Sequence, residues 1–147
     1  MNKKPSVNIL GIRGLPASHG GFETFAEHFA VYLEQRGWDV TVFCQEVGEG
    51  EQYETEWRGI RRVHIPVKRE GSVGSILFDY ISTRIAVRSE AINLVLGYNT
   101  AFFSVFYKWH RRKHVMNMDG IEWKRDKWSR PIKVWFYVNE RIGSALA

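Results

Sequence analysis

The sequence predicts a single α/β domain with a doubly wound, mostly parallel sheet and helices on both faces. Three observations carry the prediction. Short apolar, β-branched runs alternate with amphipathic helical stretches from one end of the chain to the other. The first run passes through a glycine-rich segment straight into a helix, as the first half of a βαβ unit does. The run at 91–96 is apolar except for Asn93, as suits a strand covered on both faces of its sheet. With 147 residues there is room for one such domain and one main core. A hydrophobic share of 44% and a charged share of 25% place the chain among globular rather than disordered sequences.

Each element has its own warrant. Residues 7–12 read as a buried strand ending in Gly11-Ile12-Arg13-Gly14-Leu15-Pro16. Phe22, Phe25, Ala26, Phe29, Ala30 and Leu33 then recur at helical spacing, and Gly37 stops the helix. Val40, Thr41, Val42 and Phe43 mark a second strand over 39–44, and Ile60, Val63 and Ile65 a third over 59–67. The acidic stretch between them, 45–57, reads as a surface excursion. A crossover helix is expected over 72–90 with Val73, Ile76, Leu77, Tyr80, Ile81 and Ile85 on its inner face. A fourth strand (91–96), a helix (99–110) and a fifth strand (114–118) follow. Ser129 as N-cap and Pro131 near N1 open a last helix that is still in pattern at Ala147.

Several classes are disfavoured. A lone cysteine, Cys44, makes neither an intrachain disulfide nor a cysteine-based zinc site. No apolar run approaches the roughly 18–20 residues of a membrane span, and 7–12 is too short for a signal segment, so a cytoplasmic protein is expected. The net charge is +5. Residues 108–130 hold eight basic and three acidic side chains, so the basic character belongs to that one segment.

In a doubly wound sheet ligands bind beyond the carboxyl ends of the strands. Three loops should meet there: 13–21, 97–100 and 119–128. Gly20 and Gly21 stand where a helix begins, and unpaired N–H groups there favour an anion such as a diphosphate. A tight βα turn using glycine for its backbone freedom fits the same spacing. The dinucleotide fingerprint G-x-G-x-x-G is absent, and Cys44 and Gln45 stand where a ribose would want a carboxylate, which weakens an NAD reading. Tyr98 and Asn99 are placed to stack on and hydrogen-bond a sugar, and Asn99 equally suits an N-cap. Basic and aromatic residues interleave over 108–114, as in a nucleic-acid patch or in a solvated edge.

Gly14, Gly20, Gly21 and Glu23 after the first strand, with Asn117-Met-Asp-Gly-Ile-Glu-Trp-Lys-Arg-Asp-Lys-Trp128 after the fifth, resemble the N-terminal half of glycosyltransferase family 4 enzymes, in particular their bacterial rhamnosyltransferase-like subgroup. The resemblance spans essentially the whole chain. It implies a Rossmann-like domain forming the acceptor-side half of a GT-B enzyme, which transfers a sugar from a nucleotide-diphosphate donor with retention and without a bound metal. It implies no cofactor bound by this domain. A C-terminal donor-binding domain is expected beyond Ala147, and the chain on its own is expected to be inactive.

Carried over by position, Gly14, Gly20 and Gly21 match the glycine loop that meets the donor phosphates, and Glu23, just inside its helix, is expected to bind the acceptor. Asp119 stands where many relatives have a histidine, a departure from the wider family; it can serve as acceptor-side base or as a cap on the turn at Gly120. Arg13 and His19 are candidates for the donor phosphates or the acceptor. Glu122, Trp123, Lys124, Arg125, Lys127 and Trp128 mix indoles with cations, as suits a lipid-diphosphate acceptor at an anionic membrane surface; packing of both indoles beneath the loop is the other reading. The partners implied are a nucleotide sugar and a glycan or lipid-linked acceptor of polysaccharide synthesis, not nucleic acid. An oxidoreductase nucleotide domain and a basic nucleic-acid module are the alternatives.

Overall fold

A computed structural model describes residues 3–18, 20–118 and 122–147, with Glu122 described in its backbone only. Among these residues six strands form one sheet: β1 (Ser6–Leu10), β2 (Asp39–Val47), β3 (Tyr53–Trp57), β4 (Ile60–Val67), β5 (Ile92–Leu96) and β6 (His114–Asn117). Their order is β3-β4-β2-β1-β5-β6. Every pairing is parallel except that of β3 with β4. The helices are α1 (Gly20–Gln35), α2 (Gly71–Ala86), α3 (Ser104–Trp109) and α4 (Arg130–Leu146).

Alternation along the central strands feeds two cores, one on each face. Val7 and Ile9 of β1, with Val42 and Cys44 of β2, pack against Ala26, Ala30 and Leu33 of α1. Leu10, Phe43, Val63 and Ile65 point the other way, onto Phe78 and Ala86 of α2 and Tyr107 of α3. A third, smaller cluster joins Tyr98 and Ala101 to Phe136 of α4. The polar positions of the middle strands satisfy each other: the Asn8 amide donates to Asn93 Oδ1 at 2.9 Å and to Ser89 Oγ at 3.0 Å, so two buried asparagines hold β1 to β5 without an orphaned amide. The predicted architecture is the observed one, a doubly wound, mostly parallel α/β sheet of Rossmann-like type.

Three local expectations are corrected, and a fourth is upheld. The stretch 45–57 is not an excursion: β2 runs on to Val47, and Tyr53–Trp57 returns as an antiparallel edge strand. One side of β3 pairs with β4, while Tyr53, Glu54 and Glu56 are exposed, so it carries little apolar pattern. In α2 the buried residues are Gly74, Phe78, Ser82, Thr83 and Ala86, and Val73, Leu77 and Tyr80 are exposed. Gly74 is required there, because a Cβ would stand 1.8 Å from the Arg69 carbonyl oxygen. The helix expected over 99–110 begins with a 3₁₀ turn (Ala101–Phe103) whose N-cap is Thr100, not Asn99. Ser129 does cap α4, with proline in the first turn, yet its side chain makes no capping hydrogen bond.

Candidate functional site

The loop after β1 is shaped by one buried carboxylate. Gly11 has φ +89°, and a Cβ there would lie 2.2 Å from the Leu96 carbonyl oxygen, so the chain can leave β1 beside β5 only as glycine. From there the Arg13 N–H donates to Glu23 Oε1 at 3.1 Å and the Ser18 N–H to Glu23 Oε2 at 3.0 Å. Glu23 is 4% exposed and lies in the first turn of α1, where the helix dipole favours its charge. The Gln45 N–H donates to the Arg13 carbonyl at 2.7 Å, and Arg62 Nη1 donates to that of Leu15 at 2.8 Å. Gly14 packs on Cys44, whose thiol burial pushes its pKa up. Gly20 (φ +65°) and Gly21 open α1 with free space around them.

This loop, the turn after β5 and the segment after β6 border one cleft of about 690 Å³. Arg13, Asn99 and Thr100 at the end of β5, and Arg125, Lys127 and Trp128 together with Trp135 and Phe136 of α4 all line it. Asn99 is exposed, and its carbonyl accepts from Trp135 Nε1 at 2.8 Å. Tyr98 borders the cleft but is 2% exposed and edge-on to Phe136, with ring centroids 6.3 Å apart. Its ring is wall rather than an open stacking platform, which corrects the expectation of a sugar lying flat on it.

The tryptophans of the third loop are packed. Trp123 Nε1 donates to Glu140 Oε2 at 2.6 Å, and its ring meets Tyr137 at right angles. Trp128 packs against Phe136. Lys124 and Lys127 lie over the two indoles at 5.3 and 4.6 Å. Packing beneath the loop is therefore what both indoles do. Within the stretch 108–114, Arg112 Nε donates to the Val87 carbonyl and His114 stacks on Tyr107, so part of that basic run is structural. His19 and Asp119, and the side chain of Glu122, lie outside the described residues.

Sequence reasoning missed Asp79. It projects from α2 into the cleft and accepts from Thr100 Oγ1 at 2.8 Å. Burial pushes its carboxyl up to about 6, with the Thr100 hydroxyl pulling the other way. Its one sequence signal is an acid at a helix position flanked by apolar Phe78 and Tyr80, a weak cue without the fold.

A second cleft of about 480 Å³ lies beyond the ends of β2 and β4 and shares Arg13 with the first. His64, 7% exposed, dominates its wall. Its Nδ1 pairs with Glu46 Oε1 at 2.7 Å and its Nε2 with Thr55 Oγ1 at 2.6 Å. Arg62 Nε donates to the same Thr55 hydroxyl at 3.0 Å. Arg62, Thr55, His64 and Glu46 thus form one chain of hydrogen bonds.

Among the described residues no three His, Cys, Asp or Glu side chains gather closely enough to hold a metal ion, and no helix is long and apolar enough to cross a membrane.

Three comparisons bear on this site. A family model described as "Domain of unknown function (DUF1972)" matches residues 4–146. No curated protein matches the chain. Among solved structures, sucrose-phosphate synthase from Thermosynechococcus elongatus superposes with a TM-score of 0.66 at 13% identity, over 95% of this chain and 40% of that one. At that identity the likeness is one of fold, and the chain spans well under half of the other protein's length.

Proposed function

The chain belongs to the family described as a domain of unknown function, DUF1972, and from that premise and its shared fold we propose that it is the acceptor-binding half of a retaining glycosyltransferase. The observation that carries the reading is the convergence of three strand-end segments, around Arg13, Asn99 and Arg125, on one cleft with a basic rim. The solved structure of like fold is named for sucrose-phosphate synthesis.

In this proposal the donor is a nucleotide-diphosphate sugar held by a second, C-terminal domain, and the sugar is rhamnose, as in the subgroup the sequence resembles. Arg13, Gly14, Gly20 and Gly21 meet the donor diphosphate when the two domains close. Open backbone at the start of α1 and a nearby guanidinium suit that anion. The acceptor is a glycan or lipid-linked sugar, contacted by Asn99 and Arg125. His19 and Glu122 are assigned to it by sequence position. Glu23 acts by holding the Arg13 segment in shape. The acceptor oxygen bonds to the anomeric carbon as the bond to the nucleotide diphosphate breaks, and Asp119 accepts the hydroxyl proton. The basic rim favours work beside an anionic membrane surface in polysaccharide synthesis.

The test is kinetic. In the chain joined to its donor-binding domain, Asp119→Asn lowers kcat by about 10²- to 10⁴-fold with little change in KM. Near-normal turnover removes Asp119 from the reaction. Turnover of a nucleotide sugar by the 147-residue chain alone, or tight NAD(P) binding in calorimetry, overturns the whole reading.

A further inference from the structure

Beneath the cleft floor lies a much smaller cavity of about 50 Å³. It shares Gly11, Asp79, Gly97 and Thr100 with the cleft, so it is an inward extension of the same space. Its inner wall carries Tyr107, which is 2% exposed and whose hydroxyl has no hydrogen-bond partner among the described residues. Burial pushes the phenol's pKa up, with the nearby Thr83 hydroxyl pulling the other way, so it stays a neutral donor. The ring is stacked on His114 at 4.8 Å between centroids and 22° between planes, which fixes the direction of the hydroxyl. A buried hydroxyl left unpaired destabilises a fold, so one retained in a cavity that opens to a cleft calls for a ligand group.

The lining states what that group is. The cavity holds a donor, the Tyr107 hydroxyl, and an acceptor, the Asp79 carboxylate, of whose four lone-pair positions Thr100 occupies one. A hydroxyl answers both, accepting from Tyr107 and donating to Asp79. The volume is too small for a sugar ring; a single water's share of liquid volume is about 30 Å³. An exocyclic hydroxymethyl arm fits. An ammonium group is disfavoured by Arg13, Arg125 and Lys127 around the cleft, which attract a phosphate instead.

We propose that this pocket is the specificity subsite for a sugar phosphate bound in the cleft: the sugar's hydroxymethyl arm enters between Asp79 and Tyr107 while its phosphate lies at the basic rim. The inference rests on the acceptor-side reading and narrows its ligand. Tyr107 and Asp79 hold a non-reacting end of that ligand.

The probes are glucose 1-phosphate and its 6-deoxy analogue, titrated into the 147-residue chain with methyl-labelled methionine. Met116 lines the pocket and reports on its filling. Glucose 1-phosphate is expected to shift the Met116 methyl resonance, and loss of the 6-hydroxyl to weaken binding about tenfold or more. Tyr107→Phe removes a group with no partner, so its melting temperature stays at the parent value while the discrimination disappears. Asp79→Asn, which keeps the shape, weakens the discrimination too. An unmoved Met116 resonance, equal affinity for the two sugars, or discrimination that survives in Tyr107→Phe overturns the proposal; a pocket filled only by water gives the first of these. Transfer by the completed enzyme without such discrimination sinks the pocket alone, whereas discrimination without any transfer sinks the transferase reading and leaves the pocket.

Discussion

The two clefts at the strand ends differ in how their polar groups are spent. Beyond β2 and β4, Glu46, His64, Thr55 and Arg62 are matched donor to acceptor at 2.6–3.0 Å, and Tyr53 stacks on the imidazole at 4.4 Å. Beyond β1 and β5, among the described residues, a half-buried carboxylate is met by one threonine hydroxyl and a buried phenol hydroxyl by nothing. The first arrangement ties the edge strand β3 into the sheet. The second keeps hydrogen-bonding capacity in reserve. Cavity size alone does not separate them, since both are hundreds of cubic ångströms; unspent polar capacity does.

Breaking the brace between the clefts should cost most. Glu23→Ala strands two loop amides, and urea unfolding is expected to show a loss of about 3 kcal/mol. A loss below about 1 kcal/mol would mean the loop holds its shape without that carboxylate.

A pH series sharpens the contrast. Asp79 has a carboxyl raised from 3.8 to about 6, so as pH rises the unfolded chain gives up this proton before the folded one does. Its contribution therefore falls between about pH 4 and 6, by up to about 3 kcal/mol, and is flat above that. The wild-type curve minus that of Asp79→Asn isolates the slope; parallel curves would show that the carboxyl is not raised by burial.

In the other cleft His64→Phe keeps a ring against Tyr53 but leaves Glu46 and Thr55 without their partner. It should lower stability by about 1–2 kcal/mol and leave the Asp79 slope in place, because the two networks share no hydrogen bond. A changed slope would show that the clefts are coupled. The smallest effect belongs to Tyr107→Phe, within about 0.5 kcal/mol of the parent, because that hydroxyl gives up no hydrogen bond.

The central strands and most of the first helix were legible because their burial follows apolar periodicity, as Val7, Ile9, Ala26, Ala30 and Leu33 show, whereas Phe25 of the same stripe is exposed and Glu23 is buried. The α2 face was not, because Gly74, Ser82 and Thr83 are buried without being apolar, while Val73 and Leu77 are apolar without being buried. Strand β3 was hidden by Glu54 and Glu56, which suit an exposed edge and dilute its pattern. In the site, position along the chain put Arg13, Asn99 and Arg125 at the strand ends. It could not reveal Asp79 or Tyr107, whose significance lies in partners they have or lack, some 20 residues and more away in the chain or missing altogether.

Because amides of the Arg13 segment terminate on a carboxylate rooted in α1, that segment and its helix travel together. It is poorly suited to work as a hinged flap. A body closing over this rim would meet Gly20 and Gly21, bare peptide with nothing among the described residues within 4 Å of where a side chain would start.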